Sequence, residues 1–371
     1  MTERRGDAAK PEVHVWRDLD AGLHAVIAID DPTRLPAVGG CRMWPYHCEA
    51  AAIEDAVRLA RAMSLKCTSA GLPFGGGKAV IIGDAARDKT PALLRAFGRM
   101  VERLDGRYVT AEDVGISVAD LDLVARETRH VAGRSPAAGS SGDPSPCTAR
   151  GVLVGIRAGL MELSGSDSLS GVRVAVQGVG QVGFALCGLL HAEGASLVVS
   201  DLESHRVERV CRELGARTAA PQEILFQDVD VLAPCALGGV IDAQAVPKLR
   251  ARLVAGAANN VLADPALADA LAARDILYAP DYLINAGGII HIAAELLDHD
   301  EAWIDRQIQA IAPRIRTALR RNVPWLLMRP LVARIGAGRG ASRGRGAPAA
   351  PRACRPRGSR PCAAGRCGPR P

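Results

Sequence analysis

Two blocks of alternating strand-length and helix-length apolar patterns predict an α/β protein of two domains separated by a cleft. Three observations carry this expectation: a strand–turn–strand start at 12–30, a strand–glycine turn–helix–strand unit at 172–201, and a Ser/Gly/Pro-rich stretch at 135–146. The 371 residues suffice for two hydrophobic cores, and 48% hydrophobic with 23% charged residues is an ordinary globular composition.

In chain order, residues 12–30 alternate β-branched and apolar with polar side chains around Ala21-Gly22, which reads as two strands and a turn. Ile53, Ala56, Val57, Ala60 and Met63 recur at helical spacing, so a helix over 49–65 is expected to end near Lys66. A glycine-rich loop then leads to a strand at Ala79–Ile82, a helix around Pro91–Leu104 and a strand at Arg107–Thr110 running into Ala111-Glu112-Asp113. The first domain is assigned to 1–135, and Ser135–Pro146 is read as a linker or hinge because such composition carries chain rather than core. A helix from Thr148 to about Leu163 opens the second domain, assigned to 136–322.

Val172–Val176 is the next strand, and Gly178-Val179-Gly180-Gln181-Val182-Gly183 follows it at once, opening a helix to about Ala192. A second strand, Ser196–Ser200, ends at Asp201. This is the G-x-G-x-x-G dinucleotide fingerprint in its required context, so the second domain is expected to be Rossmann-type. The glycines permit a tight turn and close backbone approach, and the helix N-terminus faces a pyrophosphate. Asp201, ~20 residues on, can accept hydrogen bonds from a ribose 2′-hydroxyl, which favours NAD over its 2′-phosphorylated form. Gly336, Gly338 and Gly340 also alternate, but no strand precedes them. Strands at Val229–Leu232, Leu253–Ala255 and Ile276–Tyr278 end in small or polar residues, which puts Asn259, Asn260 and Asn285 on the cofactor side. Each can equally be a loop or cap asparagine.

The ten cysteines form no C-x-x-C pair, so free and mostly buried thiols are expected. Nor do the eight histidines fall at a metal-ligand spacing, and no metal is expected. A polar N-terminus and the absence of an unbroken span-length apolar run point to a cytoplasmic protein that enters no membrane. The formal charge of +6 misleads about nucleic acid: 11 Arg and no acid lie from position 329 onward, so the preceding chain holds 35 basic against 40 acidic residues. Residues 323–371 read as a basic, low-complexity and disordered tail.

GLPFGGGKAV, Gly71 to Val80, sets three glycines before Lys78. A phosphate-binding P-loop fails on spacing, because it would need glycine where Leu72 stands and a hydroxyl where Ala79 stands. Two readings remain: a tight turn with a solvated lysine, or glycines that admit a ligand beside a partly desolvated amine able to do chemistry.

GGCRMWPY at 39–46, MSLK at 63–66, GLPFGGGK at 71–78, TAEDVG at 110–115, GSSGDPSP at 139–146, APCALGG at 233–239, AGAANN at 255–260 and APDYLINAGG at 279–288 together resemble the glutamate/leucine/phenylalanine/valine family of amino-acid dehydrogenases. The resemblance runs from about residue 12 to about 320, in order, and is strongest to the leucine enzymes. It implies NAD-dependent, reversible oxidative deamination of a branched-chain L-amino acid to its 2-oxo acid and ammonia, by a homo-oligomer assembled through the first domain. By resemblance, Lys66 binds the substrate carboxylate, Lys78 assists the attacking water and the carbonyl, and Asp113 is the acid/base. These roles suit the chemistry: a carboxylate needs a fixed cation, deamination needs repeated proton transfers, and desolvation beside Lys66 would leave Lys78 partly as free amine. The glycines would then clear space for substrate and cofactor at Lys78. Val38, Gly39, Met63, Ala111, Ile289 and Ile292 are implied around the substrate. Thr148, Gln181, Val182, Cys235, Ala236, Asn259 and Asn285 join Gly178, Gly180, Gly183 and Asp201 against NAD.

Glutamate-specific relatives clamp a second carboxylate with a lysine and a serine where this chain has Val38 and Ile292, so an apolar substrate side chain is implied. Phenylalanine enzymes tend to carry a small residue at the place of Ile289, which points to a shorter aliphatic group. His291 departs from the asparagine of leucine enzymes, so a valine or phenylalanine subtype stays open. After about Asn322 the family's acidic helical segment is replaced by Pro/Arg/Ala/Gly, which a reading-frame change explains better than a nucleic-acid-binding arm. The rival to an enzyme is a catalytically impaired NAD-binding regulatory protein; the joint presence of Lys66, Lys78 and Asp113 argues against it.

Overall fold

A computed structural model describes residues 10–320. The tail assigned to 323–371 lies outside the described residues.

The first sheet is built from β1 (Glu12–Asp18), β2 (Leu23–Ile29), β3 (Ala37–Trp44), β4 (Gly75–Ile82) and β5 (Tyr108–Ala111), in the order β1-β2-β4-β3-β5. β1 and β2 form the expected antiparallel pair, turning at Gly22 with φ +69°. β2 pairs antiparallel with β4, whereas β3 runs parallel to both β4 and β5. Helices α1 (Glu49–Ala70), α2 (Pro91–Glu102) and α3 (Val118–Val124) complete this half. Thr90 caps α2 by accepting from the Leu93 amide, and a Ser117/Asp120 capping box opens α3, which fixes where each helix begins.

Two boundaries differ from expectation. Helix α1 runs a further turn past Lys66 to Ala70, where Gly71 takes the left-handed conformation at φ +71°, so Lys66 sits inside the helix rather than at its end. The three glycines before Lys78 are not a loop: β4 begins at Gly75. They also clear space for the protein itself rather than for a ligand. A Cβ on Gly76 would lie 2.1 Å from the Ser64 amide and 2.2 Å from the Ala60 carbonyl of α1, and one on Gly77 would lie 2.7 Å from the ring of the buried Tyr108. Backbone cannot retreat as a flexible side chain can. Gly76→Ala is therefore expected to cost more than about 3 kcal/mol, and wild-type stability in a urea melt would refute this reading.

The second sheet contains β6 (Arg173–Gln177), β7 (Ser196–Ser200), β8 (Arg217–Thr218), β9 (Val231–Pro234), β10 (Leu253–Val254) and β11 (Leu277–Tyr278). All its pairings are parallel, in the order β11-β10-β9-β6-β7-β8, the doubly wound arrangement of dinucleotide-binding sheets. Its helices are α4 (Ser145–Ser164), α5 (Gln181–Ala192), α6 (Ser204–Leu214), α7 (Leu267–Ala272), α8 (Asp281–Ile284), α9 (Gly287–Leu297), α10 (Glu301–Gln309) and α11 (Ile311–Arg320). One apolar cluster spans α4, α5, α9 and the central strands, and extends to Val38, Cys67 and Phe74 of the first half. Cys41, Cys67, Cys147 and Cys187 are free and buried, while Cys48 is an exposed thiol.

The segment read as a hinge is pinned to α9. The Glu295 carboxylate accepts from the Gly133 and Ser141 amides at 3.0 and 3.1 Å and from the Ser140 and Ser141 hydroxyls. His291 Nε2 lies 3.2 Å from the Ser141 carbonyl, which can only accept, so that nitrogen carries the proton and Nδ1 faces the Cys147 thiol at 3.4 Å.

Candidate active site

Period-two alternation in the first sheet decides what faces α1. Gly76, Lys78 and Val80 of β4 share that face with Val38, Gly40 and Arg42 of β3, because Val38 pairs with Gly76 and Arg42 with Val80. Lys78 is consequently 5% exposed in mid-strand, a costly place for an ammonium without a counter-charge. The counter-charge is Asp113, just beyond β5, whose Oδ2 lies 2.8 Å from Lys78 Nζ. Arg42 Nε reaches the same oxygen at 3.1 Å. Burial raises the pKa of Asp113, but the Lys78 and Arg42 charges outweigh it and hold the carboxyl below its ordinary range. Arg42 also bonds Asp55 through Nη1 at 3.2 Å, and Asp55 accepts from the Tyr46 hydroxyl at 2.6 Å. The sequence reading missed Arg42, Asp55 and Tyr46.

Lys78 and Asp113 line a cavity of about 910 Å³ between the two sheets. Every residue implied around the substrate borders it: Lys66 and Met63 from α1, Val38 and Gly39 from β3, Ala111 from β5, Ile289 and Ile292 from α9. Thr148, Val182, Asn259 and Asn285 line it from the second half. Lys66 Nζ donates to Asn259 Oδ1 at 3.1 Å, and Asn285 Nδ2 donates to the same oxygen at 2.8 Å and to the Ala257 carbonyl at 3.0 Å. The two halves thus meet at the cation. Burial lowers the Lys66 pKa, with the Asp281 carboxylate opposing.

Of the glycine turn only Val182 reaches this cavity; Gly178, Gly180, Gln181, Gly183, Asp201, Cys235 and Ala236 lie outside it, at the carboxyl ends of β6, β7 and β9. Gly180 and Gln181 border a separate hollow of about 260 Å³ with Val179, Phe184 and Arg206. Asp201 accepts from the Val179 amide at 2.8 Å, tying the end of β7 to the turn. The residues fit a dinucleotide. A Cβ on Gly178 would meet Ala236 at 2.7 Å and one on Gly183 the Gly178 carbonyl at 2.0 Å, which keeps the turn tight, whereas a Cβ on Gly180 meets nothing within 4 Å. The buried Asn285 Oδ1 has no hydrogen-bond partner among the described residues, an acceptor available to a ligand.

Residues 11–130 match the Glu/Leu/Phe/Val dehydrogenase dimerisation domain, and residues 199–323 match the Glutamate/Leucine/Phenylalanine/Valine dehydrogenase family. Leucine dehydrogenase of Geobacillus stearothermophilus is 50% identical over 84% of this chain and 86% of its own length. This chain belongs to the Glu/Leu/Phe/Val dehydrogenases. It is an amino-acid dehydrogenase with the family's two-part α/β architecture. Valine dehydrogenase of Streptomyces virginiae is also 50% identical, over 78% of this chain and 81% of that protein. The crystal structure of L-tryptophan dehydrogenase from Nostoc punctiforme superposes with a TM-score of 0.72 at 39% identity, covering 88% of this chain and 95% of that one. No described helix is long and apolar enough to cross a membrane.

One acid in the dehydrogenase cavity is out of balance. Glu112 is pushed up to about 7, first by burial and then by the Asp143 and Asp113 carboxylates. Because the fold favours its neutral form, the stability it contributes is full below about 4.5 and lost as pH rises through about 7. Glu112→Gln is expected to be more stable than wild type by about 2–3 kcal/mol at pH 8, with the gap closing below pH 5. Urea melts at the two pH values check it; a pH-independent gap would count against it.

Proposed function

We propose that this chain catalyses the NAD-dependent, reversible oxidative deamination of a branched-chain aliphatic L-amino acid, leucine foremost, to the 2-oxo acid and ammonia. The observation that carries the reading is an ammonium–carboxylate pair buried in a cavity whose nearby wall is apolar: Val38, Ile289 and Ile292 leave no cation or hydroxyl for a side-chain carboxylate. Relatives named leucine and valine dehydrogenases at 50% identity support the aliphatic class.

Lys66 holds the substrate carboxylate, releasing Asn259 as it does so. Lys78 orients the attacking water, stabilises negative charge on the carbinolamine oxygen and exchanges a proton with Asp113 across their 2.8 Å contact. Asp113 takes and returns the protons that move on and off the amino group and the water, in a site dry enough for each charge to count. NAD would be held by the turn at Gly178, Gly180, Gln181, Val182 and Gly183, by Asp201 at the ribose, and by Thr148, Cys235, Ala236 and Asn285. When bound, it supplies the acceptor for the hydride leaving the substrate Cα. Asp201, already committed to backbone amides, favours a ribose hydroxyl over a phosphate. The match of the first half to a dimerisation domain supports a homo-oligomer.

The test is NADH formation with leucine, isoleucine, valine, phenylalanine, tryptophan and glutamate, each with NAD and NADP. Leucine with NAD is expected to give the highest kcat/KM, with isoleucine and valine within about a hundredfold, since one methylene is worth only about 1–3 kcal/mol. Preference for glutamate, or no NADH from folded protein, would overturn the reading.

A further inference from the structure

Among the described residues, Arg42 is the cation at the reacting pair to which the chemistry above gives no task. It lies on the Lys78 face of the sheet, with its side chain 21% exposed, and its fork spans two carboxylates: Nε to Asp113 at 3.1 Å and Nη1 to Asp55 at 3.2 Å. Asp55 is itself held by the Tyr46 hydroxyl and by Arg58 Nη2 at 2.5 Å. We propose that Arg42 is a positioning residue of the dehydrogenase reaction: anchored by Asp55, it fixes the Asp113 carboxylate and supplies the constant positive charge that keeps it an anion while Lys78 exchanges protons.

The inference rests on the reading of Lys78 and Asp113 as the proton-handling pair. Both cations approach the same oxygen of Asp113, but they are not equivalent. A lysine that gives up its proton during the cycle stops balancing Asp113 at that moment. A buried carboxylate left alone would take a proton and cease to be a base. A guanidinium keeps its charge at every working pH, and its planar fork can hold two carboxylates in fixed geometry where an ammonium cannot. The other groups facing Asp113 do not substitute for it. Lys66 on α1 is drawn towards Asn259 and Asp281, and Glu112 and Asp143 add negative charge. Cys41 and Tyr108, on the strands beneath, are buried and neutral.

Removing a fixed positive charge favours the protonated form of every group around it, so the acid limb of the kcat profile must move to higher pH whichever member of the pair it reports. The experiment compares Arg42→Met, Arg42→Lys and Asp55→Asn with wild type in kcat, KM for leucine, the pH profile of kcat, and NADH binding followed by fluorescence. Arg42→Met is expected to lower kcat by about 100-fold, within the range of general acid–base effects, with KM changed less than about threefold. Its acid limb should move up by about one pH unit, Arg42→Lys should restore most of that displacement, and Asp55→Asn should move the limb the same way by less. NADH binding should be unchanged throughout. An unmoved limb in Arg42→Met, or equal losses in the Met and Lys variants with no movement, would reduce Arg42 to a structural residue and overturn the inference. If Arg42→Met does not fold, the Asp55→Asn limb decides on the same terms. Absence of amino-acid-dependent NADH formation by wild type would instead overturn the dehydrogenase reading beneath it.

Discussion

Lys78→Ala is expected to lower kcat by about 10³-fold or more while NADH binding survives. The ammonium is 5% exposed and 2.8 Å from Asp113, so its charge acts in a medium that screens poorly. Deleting it removes the donor available to the carbinolamine oxygen and the partner with which Asp113 exchanges protons. Deleting it does not strand Asp113, which keeps Arg42 at 3.1 Å, so the fold should hold and the loss should appear in turnover. The glycine turn and Asp201 sit at the ends of β6 and β7, on a different sheet, which is why dinucleotide affinity is expected to stay within about twofold of wild type. Turnover within tenfold of wild type would remove Lys78 from the mechanism; loss of NADH binding alongside turnover would mean the substitution had disturbed the fold.

Much of the frame behind this prediction was legible in the sequence, for definable reasons. The second sheet announces itself because its strands are short apolar runs and its glycine turn must stand between β6 and α5; the observed β7 is Ser196–Ser200, as the pattern requires. The antiparallel start was equally visible, since half-buried and exposed side chains alternate along β1 and a β-branched, apolar run marks β2 across the turn at Gly22. β3 was not. Its sequence, AVGGCRMW, carries two glycines and an arginine mid-strand, and it is buried on both faces, so neither alternation nor a continuous apolar run marks it. Missing β3 meant missing Arg42: only the parallel register of β3 on β4 shows that residue 42 shares a face with residue 78. The three glycines before Lys78 carried the converse lesson. Composition signalled a loop, yet the glycines serve close packing of β4 on α1 and on Tyr108, a tertiary cause that no local window contains.

Asp113→Asn is expected to cost as much turnover as Lys78→Ala, about 10³-fold or more, and to do so by a separable route. The amide keeps the size of the carboxylate and can still accept a hydrogen bond, but it can neither take up a proton at working pH nor neutralise a cation. Arg42 retains Asp55, whereas Lys78 is left buried without its nearest counter-charge, so stability should fall by about 3 kcal/mol as well. Lys78→Ala is not expected to show that penalty, and the difference between the two variants in a urea melt therefore reports which partner needs the other more. Their combination sharpens the test. If the two groups act as one proton-handling unit, the double variant should be no slower than the worse single one, because the second deletion removes a function already lost. It should also be more stable than Asp113→Asn alone, since the uncompensated ammonium is gone. Multiplicative losses in kcat would mean that the lysine and the aspartate contribute independently, and that the 2.8 Å contact between them is structural rather than catalytic.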